Sequence, residues 1–367
     1  MKFSCYKQDF ASALASIMFA VANKPMAPIL SGVLINAKSN RIELQANNHG
    51  SGARVVIPAS VIEDGATVVT AKRLQDFIKN LPEDTVEVSL EDNELNLLSG
   101  GAAVSLLTYN AAEFPTVKDV AIVRTSLDVN AAQFKANVAK VIFAVGKDES
   151  RPIFTGVNFE FKGGKLNLVA TNTHRLARAS MSIDADIPDF QVVVPVNALR
   201  GVVDKINPAD TDNNLRINFA ERFVSFQFDN IFITSRIIEG QFPPYERVFP
   251  KDITTDCTVN VKDLLNAVNF IALMAKENEY NTVKLRLDAS GIEVAANAQE
   301  IGGAVTNVSA DIDGASLDVA FNAYYLIDYL KICGVPVVHI GFGDRYSPAK
   351  FDSTDTDYIY IATPVRA

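Results

Sequence analysis

Cysteine is scarce, histidine is scarce, and no long apolar run is present. The three cysteines, Cys5, Cys257 and Cys333, are odd in number, far apart and never spaced C-x-x-C. That pattern predicts free thiols in a reducing compartment and speaks against a zinc site. No stretch approaches the ~20 apolar residues of a membrane span. The first residues, MKFSCYKQDFASALASIMFAV, place Lys7 and Asp9 where a signal peptide needs an apolar core, so secretion is not expected and the cytoplasm is. H-E-x-x-H, G-x-S-x-G, P-loop and G-x-G-x-x-G patterns are all missing. Catalysis therefore has little to stand on, although triad partners can be distant in sequence. One stretch keeps the question open: VATNTHRLARAS, residues 169–180, sets His174 and Arg175 beside Thr and Asn.

Charge of one sign is also short. Of 367 residues 43 are acidic and 34 basic, a formal charge of −9, which by itself counts against a protein that holds nucleic acid by neutralising phosphates. Hydrophobic residues make up 48% and charged residues 21%, a balance suited to two or three folded domains rather than a disordered chain.

What is present is repetition. FASALASIMFAV (10–21) and FKANVAKVIFAV (134–145) agree at five of twelve positions at an offset of 124, and LLNAVNFIALMA (264–275) is a fainter third copy. Each spaces its apolar residues as a helix with one buried face does. A turn and a strand follow in each copy: NRIELQANN, GKLNLVATN and SGIEVAANA. Second helices come next, in TAKRLQDFIKNLP, PVNALRGVVDKINP and NAYYLIDYLKICG, and two blocks close on the corners NAAEFP and EGQFPPY. The chain thus reads as three tandem, similar α+β domains, 1–122, 123–250 and 251–367, in a quasi-symmetric architecture.

Six helical segments follow: 8–20, 71–81, 131–145, 196–206, 261–275 and 322–332. Together they carry +4 against −9 for the chain, leaving −13 elsewhere. Lysine and arginine favour helices and solvated faces anyway; the other reading is that the helices face a polyanion. In the repeat register His49 aligns with Thr173, not with His174, so the two histidines are no repeated pair.

The motifs KPMAPILSGVLI, LVATNTHRLARASM, IFITSRIIEGQFPPYERVFP, FNAYYLIDYL and the terminal TPVR, in this order and spacing, resemble the bacterial DNA sliding clamps, the beta subunits of the replicative DNA polymerase III. The resemblance runs from Met1 to Ala367. It implies a DNA clamp fold in which two three-domain protomers close head to tail, helices lining a ring and sheets outside. It implies a processivity factor without catalytic residues, cofactor or metal, whose partners are double-stranded DNA, DNA polymerases, the clamp loader and a second copy of itself, with no membrane.

The resemblance also implies a hydrophobic peptide-binding pocket. Its first part would be Phe154, Thr171, His174, Arg175 and Leu176, beside Pro243, Arg247 and Val248. Its second part would be Tyr280, Asn322, Tyr325, Tyr346 and Pro348, and its last part Ile361, Thr363, Pro364, Val365 and Arg366. Aliphatic and aromatic walls would take apolar anchors, while Arg and Thr groups orient the peptide backbone; the alternative for Leu176, Val248 and Ile361 is that they are simply core. Thr173 stands where relatives commonly carry glycine, and Thr363, Val365 and Ala367 are smaller than some relatives' residues, which should alter pocket volume. For DNA the candidates are Lys24, Arg73, Lys79, Lys135, Lys140, Lys147, Arg151, Arg200 and Lys205. For the protomer interface they are Val104 and Leu106 on one side and Leu273 and Met274 on the other. A non-encircling repeat scaffold for protein partners and an accessory clamp paralogue are the alternative readings.

Overall fold

A computed structural model describes all residues except 121, 186, 210–212, 277–278, 299–300, 353–356 and 367. Among the described residues six α-helices form where the periodicity places them: α1 (Lys7–Ile17), α2 (Ala71–Asn80), α3 (Ala131–Ile142), α4 (Val196–Val203), α5 (Val261–Ala275) and α6 (Ala323–Ile332). The first segment is extended by a 3-10 turn over Met18–Ala20. Asparagine begins three of the helices: Asn130 Oδ1 accepts from the Gln133 amide, Asn260 from Lys262 and Asp263, and Asn322 from Tyr324. Each bond satisfies an amide that the first helical turn leaves without a partner. Helix α2 buries Ala71, Leu74 and Ile78 while Lys72, Arg73 and Lys79 lie exposed, the one-sided pattern its sequence predicts.

The chain divides into two compact units, Met1–Lys135 with Asn197–Ile237, and Ala136–Val196 with Ile238–Ala367. The first holds a 13-stranded sheet in which strand Ser51–Pro58 pairs antiparallel with strand Ile231–Arg236, Ser51 opposite Ser235. The second holds a nine-stranded and a four-stranded sheet. In the nine-stranded sheet, strand Arg175–Ser182 pairs antiparallel with strand Tyr358–Ala362, Arg175 opposite Ala362. Strands of the middle repeat thus continue a sheet of the first repeat in one unit and a sheet of the third repeat in the other. Sequence periodicity marks the repeats, but pairing over such separations leaves no local signal.

All three cysteines are free and buried. Burial, reinforced by nearby aspartates, pushes the Cys5 and Cys257 thiols up to about 12, so neither is a nucleophile at neutral pH.

Candidate functional site

The stretch around His174 is a tight turn between strands Lys165–Thr171 and Arg175–Ser182. Asn172 Oδ1 accepts from the amides of His174 (3.1 Å) and Arg175 (3.0 Å). Thr171 Oγ1 accepts from the Thr173 amide and donates to the Arg175 carbonyl. These bonds hold Thr173 at φ +77°, a left-handed conformation that a β-branched residue adopts only at a cost. A glycine at this position would meet that demand freely. Thr173→Gly should therefore stabilise the protein by about 0.5–1 kcal/mol, read as a raised urea midpoint; an unchanged or lowered midpoint would show the turn is not strained.

His174 is exposed, and its carbonyl accepts from the Thr363 amide at 2.9 Å. Arg175 does not reach outward as expected for a group that orients a peptide. Its Nη1 donates to Asp328 Oδ2 at 2.7 Å, its Nη2 donates to the Phe143 carbonyl, and its guanidinium lies 4.5 Å from the Tyr325 ring centroid. Only 9% of the side chain is exposed. It braces strand, helix and turn together.

Beneath the turn, Leu176 and Ile361 are buried in one apolar cluster with Val169, Val193, Phe242 and Tyr245; Phe154 packs on its margin, edge-on to Phe242. Leu176 and Ile361 thus lie within the core beneath the turn. Val248 is not core: it is exposed, as are Pro243 and Arg247. Asn322 caps α6 and donates to the Tyr280 carbonyl at 2.6 Å, while Tyr280 and Tyr346 are exposed. Tyr325 and Pro348 are half-buried, and Tyr325 receives the Tyr360 hydroxyl on its carbonyl. At the end of the chain Thr363 and Val365 are half-buried, Pro364 is buried and Arg366 exposed; Ala367 lies outside the described residues. Tyr346 and Val365 also line a cavity of about 400 Å³ over the four-stranded sheet, with Arg286, Asp318 and Arg345 on its walls.

One feature escaped sequence reading. Asn158 is fully buried, and neither of its amide atoms finds a hydrogen-bond partner among the described residues. It lies opposite Val169 and Val193, both in the apolar floor. The repeat carried the signal: GVLINAK and GVNFEFK align at the offset of 124, which sets Asn158 where the first repeat has Leu34. An unpartnered amide in such a floor is costly unless a ligand or water meets it.

The DNA candidates divide by what their cations already do. Lys135 donates to the Ile206 carbonyl, Lys140 sits over the Tyr358 ring, and Arg151 is paired with Asp148. Lys24, Arg73, Lys79, Lys147 and Arg200 are exposed, and among the described residues none has an ion-pair partner; Lys205 is half-buried. Of the interface candidates, Val104 and Leu106 are half-buried on strand Ala102–Tyr109, Leu273 is 64% exposed and Met274 half-buried. Leu107, Phe270 and Val305, not singled out from sequence, are exposed apolar residues as well.

Comparison with known proteins gives one consistent result. Three family models match in tandem: the DNA polymerase III beta subunit N-terminal domain over residues 1–118, the central domain over 128–244 and the C-terminal domain over 246–366. The beta sliding clamp of Synechococcus elongatus is 30% identical over 375 residues, covering 100% of this chain and 99% of the relative. That of Staphylococcus epidermidis is 28% identical over 377 residues with the same coverage. The crystal structure of the Bacillus subtilis DNA polymerase sliding clamp superposes with a TM-score of 0.94 at 27% identity, covering 100% of this chain and 99% of that one.

Proposed function

The chain belongs to the DNA polymerase III beta subunit family, the beta sliding clamps, and we propose that it works as a ring that holds DNA by enclosure rather than by affinity. It is a processivity clamp of DNA replication. Two copies of three domains, 1–122, 123–250 and 251–367, close head to tail around the duplex in the cytoplasm. The observation that supports this reading is the tandem run of three clamp-domain matches over residues 1–118, 128–244 and 246–366.

The physical chemistry agrees. A chain of charge −9 gains little from counterion release, but a closed ring needs little, since leaving DNA requires opening rather than dissociation. A few unpaired cations, Lys24, Arg73, Lys79, Lys147 and Arg200, suit a surface that tracks phosphates without gripping them. A polymerase tethered to such a ring is kept near its template at high effective concentration. The tether is the apolar floor of Leu176, Phe242 and Ile361 with its exposed rim of His174, Arg247 and Val248, which fits a short peptide with aliphatic or aromatic anchors from polymerases and the clamp loader. The role is non-catalytic: His174 contributes its backbone to a turn, and its neighbour Arg175 is committed to structure.

Loading onto nicked circular DNA tests this. Clamp placed there by its loader should survive gel filtration in high salt and be lost once the circle is cut at a single site. Equal retention on circular and linear DNA would identify a static scaffold instead.

A further inference from the structure

We propose that the N-terminal compact unit carries a second docking site, which takes an acidic linear segment of a partner protein bearing an apolar anchor. The site is a cavity of about 550 Å³ bounded by the turn at His49–Gly52, the residues Thr116 to Val120 with Ile122, the hairpin at Ala220–Phe223 and the strand end at Arg236.

The cavity occupies a defined place in the repeat. Asn48 Oδ1 accepts from the amides of Gly50 (3.1 Å) and Ser51 (2.8 Å), as Asn172 Oδ1 accepts from His174 and Arg175. His49 has φ +68°, matching +77° at Thr173. The Gly50 carbonyl accepts from the Arg236 backbone amide at 2.9 Å, as the His174 carbonyl accepts from the Thr363 amide at 2.9 Å. Two turns with the same bonds in the same register thus each face a strand end, one beside the cavity and one beside the peptide pocket proposed above. The side chains differ in a telling way. Where the second unit has Arg175 and Leu176, the first has Ser51 and Gly52. The space those larger residues fill is left to Val117, which packs so close that a Cβ on Gly52 would stand 2.9 Å from its Cγ2.

The lining decides the chemistry of the occupant. Val117 is buried as a floor, Val120 is half-buried, and Ile122 and Phe223 are exposed. Both carboxylates of the lining are engaged by arginines outside it, Asp119 by Arg54 at 2.6 Å and Glu221 by Arg124 at 3.3 Å. Lys118, Arg222 and Arg236 are exposed and, among the described residues, have no carboxylate partner; the Arg236 guanidinium rests 5.6 Å from the Phe223 ring centroid. An apolar hollow rimmed by three unpaired cations, on a chain of net charge −9, selects a ligand that is both acidic and apolar. Duplex DNA offers the charge but no anchor for Val117 and Ile122.

The repeat correspondence rests on the peptide-pocket reading, whereas the cavity and its charges do not, and the test separates the two. The probe is an acidic heptapeptide with a central photoreactive leucine analogue; a control replaces its carboxylates by lysine. After irradiation with the full-length clamp, mass spectrometry locates the adducts. Labelling within 116–122 and 220–223 is expected, reduced about tenfold by Arg222→Glu with Arg236→Glu, and absent with the lysine control. Labelling confined to Leu176, Arg247 or Val248 would overturn the second site while supporting the first pocket. Labelling of the cavity without any near Leu176 would do the reverse. Labelling that charge reversal leaves unchanged, labelling at neither place, or full displacement by an oligonucleotide would also overturn the proposal. Both arginines are exposed and unpaired, so an unaltered melting temperature in the double variant confirms that folding is not the cause.

Discussion

Replacing Arg175 by alanine should lower the unfolding free energy by about 2–4 kcal/mol, a melting-temperature drop of roughly 5 °C or more. The side chain closes a junction of three elements. One nitrogen holds Asp328 on α6, another holds the Phe143 carbonyl just past the end of α3, and the planar cation lies against the Tyr325 and Phe143 rings at 4.5 and 5.2 Å. A cation beside the last carbonyls of α3 is also favoured by the helix dipole. Removing it leaves the Phe143 carbonyl without this donor and opens a void between two rings. The upper end of the range is not expected, because the Asp328 side chain is 39% exposed and water can solvate it. Lysine at 175 should recover less than half of the loss, since it restores charge but neither the two-pronged donation nor the stacking. Calorimetry of the two variants checks this, and an alanine variant that melts with the parent protein would refute it. The result bears on peptide binding too: weaker capture by Arg175→Ala would report a disturbed floor rather than a lost ligand contact.

Arg175 also marks how far the sequence could be read. Helices were legible because their apolar spacing is local, and each appears within a few residues of its expected span. The repeat register was legible as well: an offset of 124 set His49 against Thr173, and both adopt positive φ in turns with the same bonding. That register, more than either histidine's chemistry, identifies VATNTHRLARAS as a strand turn. The partners of Arg175 were not legible, because Phe143 lies 32 positions away and Asp328 153. An arginine in a polar stretch reads as a contact residue until its partners are located. The same reason hid Lys135 and Arg151, whose charges look free in sequence and are engaged in the fold. Sheet edges are harder still. Alternation along AAVSLLTY shows that one face differs from the other, but not that one side of the strand lacks a neighbour.

That missing neighbour leads to the largest effect expected. Leu107→Asp, Leu273→Asp, or both should convert the proposed ring to monomers and abolish its retention on circular DNA. Strand Ala102–Tyr109 pairs along Ala102–Leu107 with strand Glu94–Ser99, yet meets strand Gly65–Thr70 only at Thr108 and Tyr109. Among the described residues its other side is thus an open edge over most of its length, with Leu107 75% exposed. In the C-terminal unit, strand Gly302–Val308 is the outer strand of the four-stranded sheet and, among the described residues, pairs only with strand Gly291–Ala298. It carries exposed Val305, and α5, which packs on this strand, exposes Phe270 and Leu273. Two open edges with apolar side chains are templates for pairing with another chain. Head-to-tail closure of two copies would join one edge to the other twice. Burying a leucine contributes about 2 kcal/mol, and burying an unpaired aspartate instead costs more than that loss. Each substitution falls in both interfaces of the ring, so the dissociation constant should rise roughly a thousandfold for about 4 kcal/mol. Because Leu107 and Leu273 are exposed in the protomer, its circular dichroism should not change. Sedimentation equilibrium of parent and variants reads the outcome. A double variant that stays dimeric at micromolar concentration, or a monomeric one that still remains on circular DNA, would place the closure elsewhere.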